Sequence, residues 1–157
     1  MKQVDELIYD AILADENLKA LIAYTTKDGG TAYAVKSTCF EMPPDILDNT
    51  PLPNIIITDD GFQNNITSKD CVWEGGEDQV QVTVDIAAAS PNEVKAIMRK
   101  VRKAVEVYMA ALGNNMPELV SLTAGQLSWD WEAPCYFKPL IYQCRTKADI
   151  DDEQEDN

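Results

Sequence analysis

The segment from Gln79 to Leu112 constrains the fold most, because the period of its apolar residues changes once, at a marked point. Gln79-Val80-Gln81-Val82-Thr83-Val84-Asp85-Ile86 alternates polar and apolar side chains, which is the period of a strand with one wet face. Val94, Ile97, Met98, Val101, Val105, Tyr108, Met109 and Leu112 then recur at helical spacing. Between them lies Ser90-Pro91-Asn92-Glu93, a helix start with a mechanism. Ser90 can cap an orphan amide, Pro91 suits the first helical position, and Glu93 completes a capping box. Gly113-Asn114-Asn115 followed by Pro117 predicts the end of the helix.

Other segments repeat these two signals. Val4, Leu7, Ile8, Ala11, Ile12, Leu18, Leu21 and Ile22 form an apolar stripe, with Asp5, Glu6, Asp10, Asp15 and Glu16 on the other side. This predicts a first amphipathic helix ending near Tyr24, followed by a turn at Asp28-Gly29-Gly30. Tyr33 to Phe40 reads as a short strand, and Pro43, Pro44, Pro51 and Pro53 predict an extended loop after it. Asn54 to Thr58, bounded by Pro and Asp-Asp-Gly, reads as a buried strand. Ile66 to Trp73 is expected to form a hairpin with Gln79 to Ile86 through Glu74-Gly75-Gly76-Glu77. Glu118 to Leu127 and Tyr136 to Lys147 supply two more strands, separated by a loop holding Trp129, Trp131 and Pro134. The order of helix, strands, helix, strands predicts an α+β fold, an antiparallel or mixed β-sheet with two main α-helices packed on it. At 157 residues, one domain over residues 1–147 is expected. Residues 148–157 carry Asp149, Asp151, Asp152, Glu153, Glu155 and Asp156 with no base, which predicts a disordered acidic tail.

Composition narrows the function. Histidine is absent, which removes the commonest general base, the usual partner of a Ser or Cys nucleophile and a frequent metal ligand. Cys39, Cys71, Cys135 and Cys144 contain no C-x-x-C pair and read as small buried hydrophobes. The glycine pairs Gly29-Gly30 and Gly75-Gly76 match no phosphate-binding loop, and no nucleophile elbow occurs. Asp59-Asp60 and Asp130 with Glu132 are the carboxylate pairs placed where strands end; they read either as a hard-cation or acid–base site or as solvated turns. No enzyme, cofactor or metal site is therefore expected. The net charge of −14 disfavours generic DNA binding, yet suits a surface past which DNA slides. The first residues carry acid where a signal peptide needs base, and no stretch approaches membrane-spanning length, so neither secretion nor membrane insertion is expected.

What remains are candidate contact residues. Lys95, Arg99, Lys100, Arg102 and Lys103 put five of the thirteen bases on one helix, and Lys95, Arg99 and Arg102 are candidate subunit-interface residues toward an acidic partner; the alternative is a solvated helix face. Trp73, Trp129 and Trp131 are candidate interface anchors, or covers for the open side of a small sheet.

Several phrases of the chain carry a resemblance. The acidic amphipathic N-terminal helix is followed by Leu52-Pro53-Asn54-Ile55-Ile56-Ile57 entering a strand. Then come the alternating strand Val80 to Ile86, the Ala89-Ser90-Pro91 helix entry, a long Val-, Arg- and Lys-rich helix, and two closing strands. In this order, from Val4 to Arg145, the chain resembles the tail-completion or tail-terminator (head–tail joining) proteins of long-tailed bacteriophages. It departs from them in a longer Thr25–Thr38 segment and in the acidic tail. The resemblance implies a virion subunit of the tail or neck, assembled in the host bacterial cytoplasm. It would form a homo-oligomeric ring, typically a hexamer, that caps the tail tube and meets the head connector. DNA would pass through the lumen without specific binding, and no cofactor would be needed. The rival reading from charge alone is a cytosolic adaptor or inhibitor module that binds a basic protein.

Overall fold

A computed structural model describes residues 2–38, 51–65, 77–132 and 134–147. The expected hairpin strand Ile66 to Trp73, its turn, the extended loop around Pro43 and Pro44, and the acidic tail lie outside the described residues, as do Cys39, Cys71 and Trp73.

The first apolar stripe folds as two helices, α1 (Val4–Ala14) and α2 (Glu16–Leu21), in place of the single expected one. The break is a cap: Asp15 leaves helical geometry at φ −91° and ψ 111°, and its carboxylate accepts the Leu18 N–H at 2.9 Å. Periodicity runs across this break because Leu18 and Ile22 still reach the core. Asp5, expected on the polar side of α1, is buried instead. Its Oδ1 accepts the Glu6 N–H at 2.9 Å and its Oδ2 accepts the Thr38 hydroxyl at 2.9 Å. Thr38 Oγ1 also accepts the Asp59 N–H at 3.1 Å, so one hydroxyl ties α1 to two strands.

β1 (Ala23–Thr25) and β2 (Thr31–Tyr33) form a small antiparallel hairpin around the expected Asp28-Gly29-Gly30 turn, where Gly29 takes φ 85°. The expected Tyr33–Phe40 strand divides at Ala34, whose N–H donates to Ile22 O and whose carbonyl accepts from Ile55 N–H. β3 (Val35–Ser37) follows and enters a second sheet.

That main sheet has the path β3-β4-β5-β8-β6, with β7 also paired to β8. Its members are β4 (Asn54–Asn65), β5 (Glu77–Ala88), β6 (Glu118–Ala124), β7 (Ser128–Asp130) and β8 (Cys135–Lys147). β3 and β4 are parallel and the other pairs antiparallel, so the sheet is mixed. Two details correct the sequence reading and one completes it. β4 continues past Thr58 to Asn65 through a bulge between Asp59 and Phe62, so Asp59-Asp60-Gly61 is a bulge inside a strand, not a closing turn. β5 pairs with β4 on one side and with β8 on the other. The Trp129 loop contains a short strand, β7, templated by the N-terminal end of the long β8.

α3 (Pro91–Ala111) starts as expected, with Ser90 Oγ accepting the Glu93 N–H at 3.3 Å and Pro91 in the first turn. It ends at Ala111, and Gly113–Asn115 form a 3-10 turn with Gly113 at φ 60°. α1 and α3 pack against one face of the main sheet. Val82, Val84 and Ile86 of β5, Ile55 and Ile57 of β4, and Leu140 of β8 meet Ile8, Ile12, Val94, Ile97 and Val101 there in one core. Each such fully buried aliphatic side chain contributes on the order of 2 kcal/mol through water exclusion. The alternation seen in the sequence of β5 is thereby explained: its even-numbered residues face the helices. The fold is α+β, with helices on one face of a mixed sheet.

Candidate interaction surface

The opposite sheet face carries a ladder of polar side chains. Asp60 Oδ2 accepts from Gln81 Nε2 at 3.0 Å and from the Thr83 hydroxyl. Gln81 Oε1 accepts from Gln143 Nε2 at 3.1 Å, and Gln143 Oε1 accepts from the Ser121 hydroxyl at 2.9 Å. Four strands, β4, β5, β8 and β6, are thus stitched by side chains as well as by backbone. Beside the ladder, Asp85 has its carboxyl raised above the ordinary value, chiefly by burial and secondarily by the charge of Asp60.

The candidate chemical residues are accounted for by local structure. Asp59 Oδ1 accepts the Gly61 N–H at 2.8 Å within the bulge, while Asp60 is held by the ladder, so the pair does not converge on a common point. Asp130 Oδ1 accepts the Glu132 N–H at 3.0 Å, a side-chain-closed turn after β7. Among the described residues no group of three or more Cys, Asp or Glu is placed to hold a metal ion. Cys135 and Cys144 are buried free thiols, and burial pushes Cys144 up to about 11, away from thiolate reactivity. No helix among the described residues is long and apolar enough to cross a membrane.

The interface candidates occupy two distinct places. Lys95, Arg99 and Arg102 are exposed along α3, as are Lys100 and Lys103, and none of the five is ion-paired to a described carboxylate. Trp129 packs edge-on against Tyr136 at 4.6 Å between ring centroids, which seats it on the helix side of β8, and meets Trp131 edge-on at 5.9 Å. Trp131 itself stands 84% exposed, far more than a sheet-covering tryptophan would be.

A third place was not foreseen from sequence. Between α1, the C-terminal half of α3, β6 and the end of β8 the core opens into a cavity of about 420 Å³. Ile8, Val105, Met109, Leu119 and Leu122 wall it, and Arg102 stands among them. Tyr142 also lines it; this residue is buried, its hydroxyl has no hydrogen-bond partner among the described residues, and burial raises its pKa. Met116 and Leu119, which line the opening, are exposed, as is the next residue Val120, and β6 is the edge strand of the sheet.

No family model matches the chain, and no curated protein matches it. Among solved structures it is similar to a chain of "Virion of native gene transfer agent (GTA) particle". The two share one fold. The match has a TM-score of 0.50 at 16% identity and covers 92% of this chain and 95% of the other, so it describes the whole architecture and not a shared fragment.

Proposed function

We propose that this chain is a phage-type virion structural protein, a tail-terminator or tail-completion subunit that forms a ring, caps the tail tube and meets the head connector. The observation that carries the reading is the near end-to-end fold similarity to a chain of a gene transfer agent virion. Two features of the chain support it. Its candidate carboxylates are spent on a bulge, a turn and a sheet ladder. Its unusual surface features are those of contact: an edge strand with exposed Leu119 and Val120, and an exposed Trp131. The charge of −14 also suits passage of DNA through a lumen, because phosphates find few counterion-displacing bases there.

Native mass spectrometry and negative-stain imaging of the purified protein test this reading, with a closed ring, typically of six subunits, as the expected result. Binding to a tail-tube or connector protein is expected as well. A strict monomer at all concentrations that binds neither partner would overturn it.

A further inference from the structure

We infer that the basic face of α3 is the docking surface for the acidic segment 148–157 of the same copy, folded back from the end of β8. The inference does not depend on the ring reading and holds equally for a monomer.

The face is built from two adjacent rows of the helix. Lys95, Arg99 and Arg102 form one row at spacings of four and three, Lys100 and Lys103 form the next, and all five are exposed. The exposed Glu106 continues the first row toward the C-terminal end of α3. None of the five bases is ion-paired to a described carboxylate, although the chain holds 27 acids against 13 bases. Like charges three and four residues apart on a helix repel, so the bare face weakens α3 and a covering anion offsets that cost.

The segment that follows β8 has the complementary charge. Residues 148–157 lie beyond the described part of the chain and read Ala-Asp-Ile-Asp-Asp-Glu-Gln-Glu-Asp-Asn, six acids with no base. Where the described chain ends also fits. Cys144 of β8 lines the same cavity as Arg102 and Glu106, so β8 finishes beside the C-terminal half of α3. Lys147 is three residues past Cys144, about 10 Å along a strand. Lys95 is seven residues before Arg102, about 10 Å along a helix. Ten extended residues span at most about 33–36 Å, enough to turn back across the mouth of the cavity and follow α3 to Lys95. The order of charge matches this path. Three lead residues, 148–150, carry the chain past Glu106, and five of the six acids then fall between Asp151 and Asp156, opposite the five bases.

Attachment selects the segment of the same copy over other anions. A second copy or a nucleic acid approaches a chain of charge −14 against long-range repulsion, whereas a segment joined by a few residues meets its own helix at an effective concentration on the order of millimolar. The covered bases are then withheld from phosphates. In the proposed ring, carboxylates of a neighbouring copy compete with the segment for the same bases.

The test uses the full-length chain. A water-soluble carbodiimide condenses a carboxylate with a lysine amine into an amide where the two touch, taking up the water as a urea. The Lys2–Asp10 pair at 2.7 Å is the internal standard. Mixing unlabelled chains with chains labelled in heavy nitrogen shows by mass whether a link lies within a copy or between copies. Links from the carboxylates of 151–156 to Lys95, Lys100 or Lys103 within single copies are expected, and their loss at about 1 M salt, where the Debye length is about 3 Å. Recovery of the Lys2–Asp10 link without any link from 151–156 to α3 would overturn the inference. Links found only between copies would also overturn it, by assigning the segment to a neighbour. A second measurement reads the covering itself. Asp152→Asn, Glu153→Gln and Glu155→Gln in one chain are compared with Glu16→Gln, Asp28→Asn and Glu132→Gln in another, two sets that change the net charge equally. In fluorescence anisotropy with a short DNA duplex at low salt, the first set is expected to bind about tenfold more tightly than the second, because it alone uncovers α3. The same affinity in both sets, immeasurable affinity included, would count against the covering and overturn it. A monomeric parent with links inside each copy overturns the ring reading and leaves this inference standing.

Discussion

At the scale of single residues, two polar groups sit where their environment works against them. Tyr142 is buried with its hydroxyl unpartnered among the described residues. Deleting the oxygen while keeping the ring therefore removes a desolvation cost without opening a cavity. Tyr142→Phe is expected to leave the urea midpoint of the unassembled chain unchanged or to raise its stability by up to about 1 kcal/mol, against the destabilisation usual for core substitutions. Asp85 offers the second case. Its folded pKa lies above the ordinary 3.8, from burial first and Asp60 second, so the folded chain holds its proton more tightly than the unfolded one. Stability contributed by the neutral form is present at low pH and is lost as pH rises through the raised folded value. Asp85→Asn should accordingly stabilise the chain at pH 7, with the gain shrinking toward pH 4, as read from denaturation midpoints across that range. A gain independent of pH would show that the cause is not ionisation.

At the scale of elements, legibility followed how many residues vote for a period. β5 and α3 were readable because eight alternating residues and a capped stripe leave little choice of geometry. The division of α1 from α2 was hidden, since the apolar stripe continues through it and only the Asp15 side chain marks the break. β7 was hidden for the opposite reason: three residues cannot establish a period, and its existence depends on β8 being long enough to pair with both β6 and β7. The site divides in the same way. Arg102 could be named from sequence, but the cavity it lines joins α1, α3, β6 and β8, and no local pattern predicts which side chains four distant segments leave facing a gap. The link between β6 and β7 shows a further constraint of this kind. Gly125 donates its N–H to Pro139 O at 2.8 Å, and a Cβ there would run into Pro139 Cγ. A proline ring cannot swing aside as a flexible side chain would. Gly125→Ala is thus expected to cost about 1–3 kcal/mol, measured by urea unfolding, although it places only one methyl on a partly exposed loop.

At the scale of the whole molecule, the proposed ring would set two electrostatic effects against each other. Each copy carries −14, so copies would repel at long range, while the exposed bases of α3 would attract carboxylates of a neighbouring copy at contact. Salt distinguishes them because it screens by distance. Raising ionic strength from about 0.01 M to about 0.15 M shortens the Debye length from about 30 Å to about 8 Å, which removes most body-to-body repulsion but spares groups in contact. Apolar contacts between copies, such as one made by the exposed Trp131, would be insensitive to this change. Assembly is therefore expected to strengthen over that interval and to change little beyond it, as followed by sedimentation at fixed protein concentration. Arg102→Gln should shift the whole curve toward weaker assembly while keeping its shape, since it removes a contact charge without altering the long-range balance much. Assembly that weakens steadily from the lowest salt upward would mean that ion pairs, and not apolar contacts, hold the copies together.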